Sequence, residues 1–160
     1  MTDKELIEEK LKEVMDPELP LVSVVDMGII TGIESDNEGR VKIKMTPTFA
    51  GCPAIEYMKN EIKSKLSELN LKSVEVELNY DVQWNSNMIS DRGRKLLKES
   101  GFALPVKHSG LIQIEMLNKI ECPHCGKNNT RLMSTFGATQ CRAVHYCDDC
   151  MQMFEQIKPV

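Results

Sequence analysis

Arg40-Val41-Lys42-Ile43-Lys44-Met45-Thr46-Pro47-Thr48-Phe49-Ala50-Gly51-Cys52-Pro53-Ala54 is the stretch that decides the fold class. Its first six residues alternate polar and apolar without a break, the pattern of a half-buried strand. From Ala54 to Leu69 the period changes, and Ile55, Met58, Ile62, Leu66 and Leu69 recur on one helical face. A strand that runs through a Pro/Gly loop into an amphipathic helix points to layered α/β architecture. Pro53 fits the first helical position, where its missing N–H is no loss. That leaves Cys52 at or near the N-cap.

Upstream, Asp36-Asn37-Glu38-Gly39 reads as a turn, so Ile29–Ile33 is predicted to form a hairpin with 40–45. The residues between 19 and that strand read as loop. Thr2-x-x-Glu5 offers a capping box for a first helix carrying Leu6, Ile7, Leu11, Val14 and Met15. Asp16-Pro17 is expected to stop it, because proline pushes the preceding residue out of the α region. Downstream, Asn70 suits the end of the second helix, and Val74, Val76 and Leu78 alternate as a third strand. Ser90 is predicted to cap a last helix through Ser100, closed by Gly101. The expected body, residues 1–105, is an α-β-β-α-β-α sandwich with helices on a sheet of three or slightly more strands. That length can bury a core of its own. Residues 106–119 read as a linker and 120–160 as a separate module.

The module carries Cys122-Pro123-His124-Cys125-Gly126 and Cys147-Asp148-Asp149-Cys150. Each Cys-x-x-Cys pair puts two sulfurs on one tight turn, and two such turns make a tetrahedral thiolate site of the kind zinc favours. The segment between the pairs, 126–146, is 21 residues long, just past the usual ~15–20 of zinc ribbons. Predicted ribbon strands are Thr130–Met133, Val144–Tyr146 and Phe154–Lys158. A structural zinc is the favoured reading, against an iron–sulfur cluster or redox dithiols. Four thiolates leave no open position, so the site reads as structural. With few large apolar groups, the module depends on its metal for folding. His124 and His145 lie beside the ligands and could each substitute for one, but four cysteines already fill the site, so both are expected at the surface. Cys141 is left over, either as a small buried hydrophobe or as a fifth thiol that joins or exchanges with the site.

The formal net charge of −4 is unevenly spread. Residues 1–105 hold 14 Lys+Arg against 19 Asp+Glu, and residues 106–160 hold 6 against 5. Neither part has a basic footprint for nucleic acid, and aromatics for base stacking are few. No apolar run is long enough to span a bilayer. The charged N-terminus lacks a signal-peptide core, so a cytoplasmic location is expected. In that reducing compartment, paired cysteines serve as metal or redox groups rather than disulfides. Serine-triad, phosphate-loop and His-rich di-iron motifs are all missing, which argues against an enzyme.

Among single residues, Cys52 stands out. At a helix N-terminus, backbone N–H groups and the dipole favour its thiolate. Gly51 lets a ligand or partner approach the backbone. The residues themselves leave a reactive thiol or soft-metal ligand level with a modest N-cap. Asp16 reads as a helix-end or turn residue, Asp26 as a turn former before Gly28, and nothing in the spacing of Asp16, Glu18 and Asp26 demands a cation. Trp84 lies in a polar loop, either as an exposed partner anchor or as a ring folded over the sheet end. Sheet edges and an exposed Trp84 loop would suit a homodimer.

These features resemble a known family. Asp16-Pro17-Glu18-Leu19-Pro20, Val25-Asp26-Met27-Gly28-Ile29-Ile30, and Thr46-Pro47-Thr48 leading to Gly51-Cys52-Pro53 are similar to the iron–sulfur assembly family that includes SufT. The tail motifs Cys122-Pro123-x-Cys125-Gly126, Phe136-Gly137-x-Thr139-x-Cys141 and Cys147-x-x-Cys150 resemble its PaaD branch, as do Asp91-Arg92-Gly93-Arg94-x-Leu96 and Gly101-x-Ala103-x-Pro105. One departure is Val82-Gln83 before Trp84, where the family usually carries prolines. The resemblance spans nearly the whole chain. It implies a maturation factor that delivers iron or a transient iron–sulfur cluster to the multicomponent phenylacetyl-CoA oxygenase (epoxidase) system of aerobic phenylacetate degradation. The implied partners are the oxygenase and reductase subunits. The alternative it leaves is a non-catalytic structural or regulatory subunit of that complex. It also implies that Cys52 is the reactive position, that Asp16, Glu18 and Asp26 form an acidic signature patch, and that Cys141 is part of the tail pattern.

Overall fold

The alternating stretch at 40–45 is a strand and the periodic stretch after Pro53 is a helix, as the residue pattern predicts. The computed structural model describes residues 3–110 and 114–159. Along the first part of the chain run α1 (Asp3–Leu11), β1 (Met15–Asp16), β2 (Leu19–Ser23), β3 (Ile30–Ser35), β4 (Arg40–Met45), α2 (Ala54–Ser67) and β5 (Ser73–Leu78). They are followed by α3 (Asp91–Glu99), β6 (Thr130–Ser134), β7 (Arg142–Cys147) and β8 (Gln152–Ile157). Two compact units divide the chain, Met1–Trp84 and Asn85–Val160.

In the first unit the sheet order is β3-β4-β5. β3 and β4 form the expected antiparallel hairpin, and β5 lies parallel to β4 after the α2 crossover. Asp36 closes the hairpin turn, its carboxylate accepting from the N–H groups of Glu38 and Arg40. Val41, Ile43 and Met45 point inward with Ile55, Met58, Ile62 and Leu66 of α2 and Ile7 and Leu11 of α1. The opposite face carries charge. Lys42 pairs with Glu77 at 2.9 Å and Lys44 with Glu34. One apolar face and one charged face define a two-layer sandwich, with both helices on the apolar side.

Two local expectations change. α1 ends at Leu11 rather than at Asp16-Pro17. The chain then tightens through Glu13 N–H to Lys10 O and Val14 N–H to Leu11 O, and Met15–Asp16 is taken up by an antiparallel ladder with β2. Strand β2 falls where a loop is expected. Leu19-Pro20-Leu21-Val22-Ser23 shows no two-residue alternation, and its pairing with β1 is what makes it a strand. Thr2 of the proposed capping box lies outside the described residues.

The second unit contains the three-stranded antiparallel ribbon β6-β7-β8. α3 belongs to this unit, whereas the residue pattern groups it with residues 1–105. The reason is the segment after it. Ala103 bridges Gln156 in parallel, with Ala103 N–H to Glu155 O at 2.9 Å and Ile157 N–H to Ala103 O at 3.3 Å. Residue 103 thereby extends the ribbon beyond β8. Ser90 caps α3 as predicted, its hydroxyl accepting from Gly93 N–H at 2.9 Å.

Candidate functional sites: the Cys52 loop and the four-cysteine centre

The register of the sheet collects three loops at one end. Ile30 at the start of β3 pairs with Met45 at the end of β4, and Leu78 at the end of β5 lies beside Met45. The Asp26–Ile29 turn, the Thr46–Pro53 loop and the loop after β5 therefore share that end. Thr46 ties them together. Its N–H donates to Ile29 O at 2.9 Å and its hydroxyl to Val82 O at 2.7 Å. Trp84 Nε1–H donates to Met27 O at 2.7 Å.

Trp84 is only 3% exposed. The ring is folded over the sheet end and gives no exposed anchor for a partner or a homodimer, because its one donor reaches a main-chain carbonyl inside the unit. Asp26 is buried and bonded to Ser23 twice, accepting from its hydroxyl at 2.9 Å and donating its N–H to Ser23 Oγ at 3.1 Å. It shapes the turn into Gly28, where φ is +71°. Asp16 is also buried, its Oδ1 accepting from Glu18 N–H at 2.8 Å in an Asx turn. Glu18 is half-buried.

Cys52 is partly exposed in the β4–α2 loop. Pro53 is the N-cap of α2, so Cys52 stands one residue further out than the N-cap. Its carbonyl accepts from Ile55 N–H and its N–H donates to Phe49 O, both at 3.3 Å. Gly51 has φ +76°, and a Cβ built there would meet nothing within 4 Å. A left-handed glycine beside open space gives the thiol an approachable backbone.

In the second unit, Cys122, Cys125, Cys147 and Cys150 converge, with all four sulfurs within 4.8 Å of one another. Cys122 Sγ lies 3.7 Å from Cys150 Sγ, and Cys125 Sγ lies 3.6 Å from Cys147 Sγ. A tetrahedron of sulfurs around zinc at ~2.3 Å has edges of about 3.8 Å. The donor set and its spacing therefore fit a tetrahedral metal ion. The second knuckle begins at the end of β7; the first lies ahead of β6 and is closed by Cys122 N–H to Lys127 O at 2.9 Å. Gly126, with φ +76°, donates its N–H to Cys122 O, and His124 N–H points at Cys122 Sγ at 3.4 Å.

The thiols affect one another. The N–H groups of Cys150 and Asp149 pull the Cys147 thiol down to about 7, against the effect of burial. Burial and the neighbouring thiols push Cys150 up to about 12. Such a cluster loses its first proton easily and its last with difficulty, because thiolates so close together repel. A bound cation supplies the missing positive charge and lets all four ionise.

Cys122 and Cys147 are fully buried and form the core of the unit with Ala103, Ile120 and Phe154. Phe154 stacks on His145 at 5.5 Å and meets His124 edge-on at 6.3 Å. His124 is exposed as expected, but His145 is completely buried. It sits on the inner face of β7, opposite Phe154, and its Nε2 is 2.9 Å from Gln156 Oε1. Strand alternation could have revealed this, since His145 lies two residues from Cys147 and so on its face. Burial lowers its pKa. Cys141 is not among the clustered sulfurs; it is half-buried, 2.9 Å from Thr139 Oγ1. Gly137, in the same motif, is closely hemmed in: a Cβ there would press on Arg142 Cβ at 3.1 Å and on the Glu155 carboxylate, which accepts from Ala138 N–H.

Comparison with known proteins matches residues 4–78 to the family described as "Iron-sulfur cluster assembly protein". Residues 111–158 match "PaaD zinc beta ribbon domain". The chain is 32% identical over 148 residues to one subunit of the Escherichia coli "Putative 1,2-phenylacetyl-CoA epoxidase", covering 92% of this chain and 88% of that one. The chain belongs to the PaaD family. The chain is also 32% identical over 93 residues to a Porphyromonas gingivalis "Fe-S protein maturation auxiliary factor", covering 58% of this chain and 85% of that protein. The crystal structure of a Bacillus anthracis "Domain of Unknown Function DUF59" superposes with a TM-score of 0.56 at 26% identity, over 58% of this chain and 89% of that one. These PaaD-type features account for both cysteine sites: an iron–sulfur assembly domain bears Cys52, and a zinc-ribbon domain bears the four clustered thiols. Among the described residues, no helix is long and apolar enough to cross a membrane.

Proposed function

We propose that this PaaD-type chain is a cytoplasmic maturation factor, not an enzyme. It delivers iron or an iron–sulfur cluster to the multicomponent phenylacetyl-CoA oxygenase system, with the oxygenase and reductase subunits as clients. Cys52 is the transient ligand or exchange thiol. One observation carries this reading: a partly exposed cysteine just ahead of α2, beside a left-handed Gly51 with open space around its backbone. The dipole at the start of α2 offsets the negative charge of thiolate-ligated iron. Asp16, Glu18 and Asp26 shape the neighbouring turns, and two of these carboxylates are buried in local hydrogen bonds. The four clustered cysteines hold a structural zinc, and the ribbon, residues 120–160, docks the client. The names of the relatives support the class of function; the Escherichia coli relative supports the client.

The test replaces Cys52 by Ser and measures iron in the oxygenase and reductase made in the same cells. Reduced iron in at least one client is expected. Full iron in both would remove Cys52 from the mechanism. Full iron in cells lacking the protein altogether, with stoichiometric co-purification of the protein where it is present, would instead identify a structural or regulatory subunit.

A further inference from the structure

The loop between β6 and β7, residues 135–141, presents an aromatic ring to solvent and holds its backbone still. Phe136 is 66% exposed. Single exposed apolar side chains are ordinary on a protein surface, but this one is fastened. The Ser134 hydroxyl donates to Phe136 O at 2.8 Å and accepts from Phe136 N–H at 3.1 Å. Gly137 N–H donates to Arg142 O at 2.8 Å, and Ala138 N–H to the Glu155 carboxylate at 3.1 Å. Lys158, just past β8, reaches the loop twice: its N–H donates to Cys141 O and its Nζ to Thr135 O, both at 2.9 Å. The same Nζ lies 4.9 Å from the centre of the Phe136 ring, within cation–π range. Ahead of the loop, an irregularity in the β6–β7 pairing at Met133 leaves that side chain exposed as well.

Fixing a loop costs conformational entropy. A ring left in water offsets little of that cost in folding, whereas a loop already ordered binds a partner with less to lose. The free charge around the ring has one sign. Residues 133–146 contain no Asp or Glu. Glu155, the acid that reaches the loop, is taken by Arg142 at 3.5 Å and by Ala138 N–H. Among the described residues, no carboxylate pairs with Lys158.

We propose that the Phe136 loop is the element by which the ribbon docks its client, and that its occupant is an apolar pocket rimmed by carboxylates on a subunit of the oxygenase system. Phe136 fills the pocket, and Lys158 meets the rim. Aromatic anchors seated in pockets dominate many interfaces. This role presupposes the client reading above but not the chemistry of Cys52.

The test is titration calorimetry of the metal-loaded full chain against the oxygenase and the reductase, each purified from cells lacking this chain. Binding to at least one is expected, and it should be at least ~30-fold weaker for Phe136→Ala, the range of a dominant interface residue. Because the ring is largely in water already, Phe136→Ala should keep its metal and melting temperature. Lys158→Glu should weaken binding too, more at low salt than at high. No binding of the native chain to either protein, or native affinity in Phe136→Ala, would overturn the assignment. So would a dimer of the native chain that Phe136→Ala dissociates in sedimentation, since a second copy would then be the occupant. Should Phe136→Ala lose its metal, Lys158→Glu decides alone, and native affinity there overturns it. Full iron in clients from cells lacking the chain would remove delivery and leave this interface standing; native affinity in Phe136→Ala would remove the interface and leave delivery standing.

Discussion

Removing the metal from the four-cysteine centre should unfold the second unit and leave the first intact. The magnitude follows from the packing. Cys122 and Cys147 are fully buried and are part of the core with Ala103, Ile120 and Phe154. At ~0.05–0.15 kcal/mol per residue, a unit of roughly 75 residues has a total stability of ~4–11 kcal/mol. A structural zinc in a small module contributes ~10–16 kcal/mol at neutral pH. The metal's share is therefore as large as the whole, and without it the four thiols carry their mutual repulsion uncompensated. The first unit has its own core of Ile7, Leu11, Ile43, Met58, Ile62 and Leu66. The chain's one tryptophan, Trp84, lies in that unit and is buried there, so its fluorescence reports on the first unit. Chelation at neutral pH, followed by amide hydrogen exchange and tryptophan emission, separates the two responses. Protection of β6–β8 should collapse while the emission maximum stays where it was. A red shift of Trp84 in step with the loss of ribbon protection would refute the independence of the units. Full ribbon protection after complete metal removal would refute the metal's structural role.

Trp84→Phe leaves Met27 O without its buried donor, and a destabilisation of about 1–3 kcal/mol is expected by denaturant titration. The acid side should show His145. Burial lowers its pKa below the unfolded value of 6.5, so the unfolded chain takes up the proton more readily than the folded one. The stability it contributes is complete above about 6.5 and is lost as the pH falls through that value. His145→Phe should flatten this part of the profile in denaturant melts at pH 5 to 8, and an unchanged slope would exclude His145 as its source.

Much of the first unit was legible because its signals are local. The alternation of 40–45 and the period of 54–69 each report one exposed and one buried face, and each became the expected element. The Cys-x-x-Cys pairs were readable for the same reason, since a knuckle is a short turn with its own residue requirements. What failed was settled by pairing at a distance. β2 has no periodicity of its own and exists through β1. α1 is shorter than its apolar pattern because the next residues are taken by that ladder. Trp84 and His145 were expected or offered as surface groups on the polarity of their neighbours. Both are buried because a partner far along the chain accepts or faces their polar atom, Met27 O for one and Gln156 for the other.

The sequence alone determined the α/β body, the ribbon, the pairing of four cysteines in two knuckles and the family, since all of these rest on short-range spacing and residue chemistry. Only the tertiary structure decided the grouping of α3 with the ribbon, which turns on hydrogen bonds between residue 103 and residues 155–157 that no local pattern announces. It also decided the place of Cys52. The quoted stretch from Arg40 to Ala54 carries the thiol in the loop after a strand, and the sheet register puts the Asp26 turn and the Trp84 loop at the same end of the sheet. Side-chain periodicity says which face a residue takes. Which loops share an end of the sheet depends on how strands pair, and that is set by contacts between residues far apart in the chain.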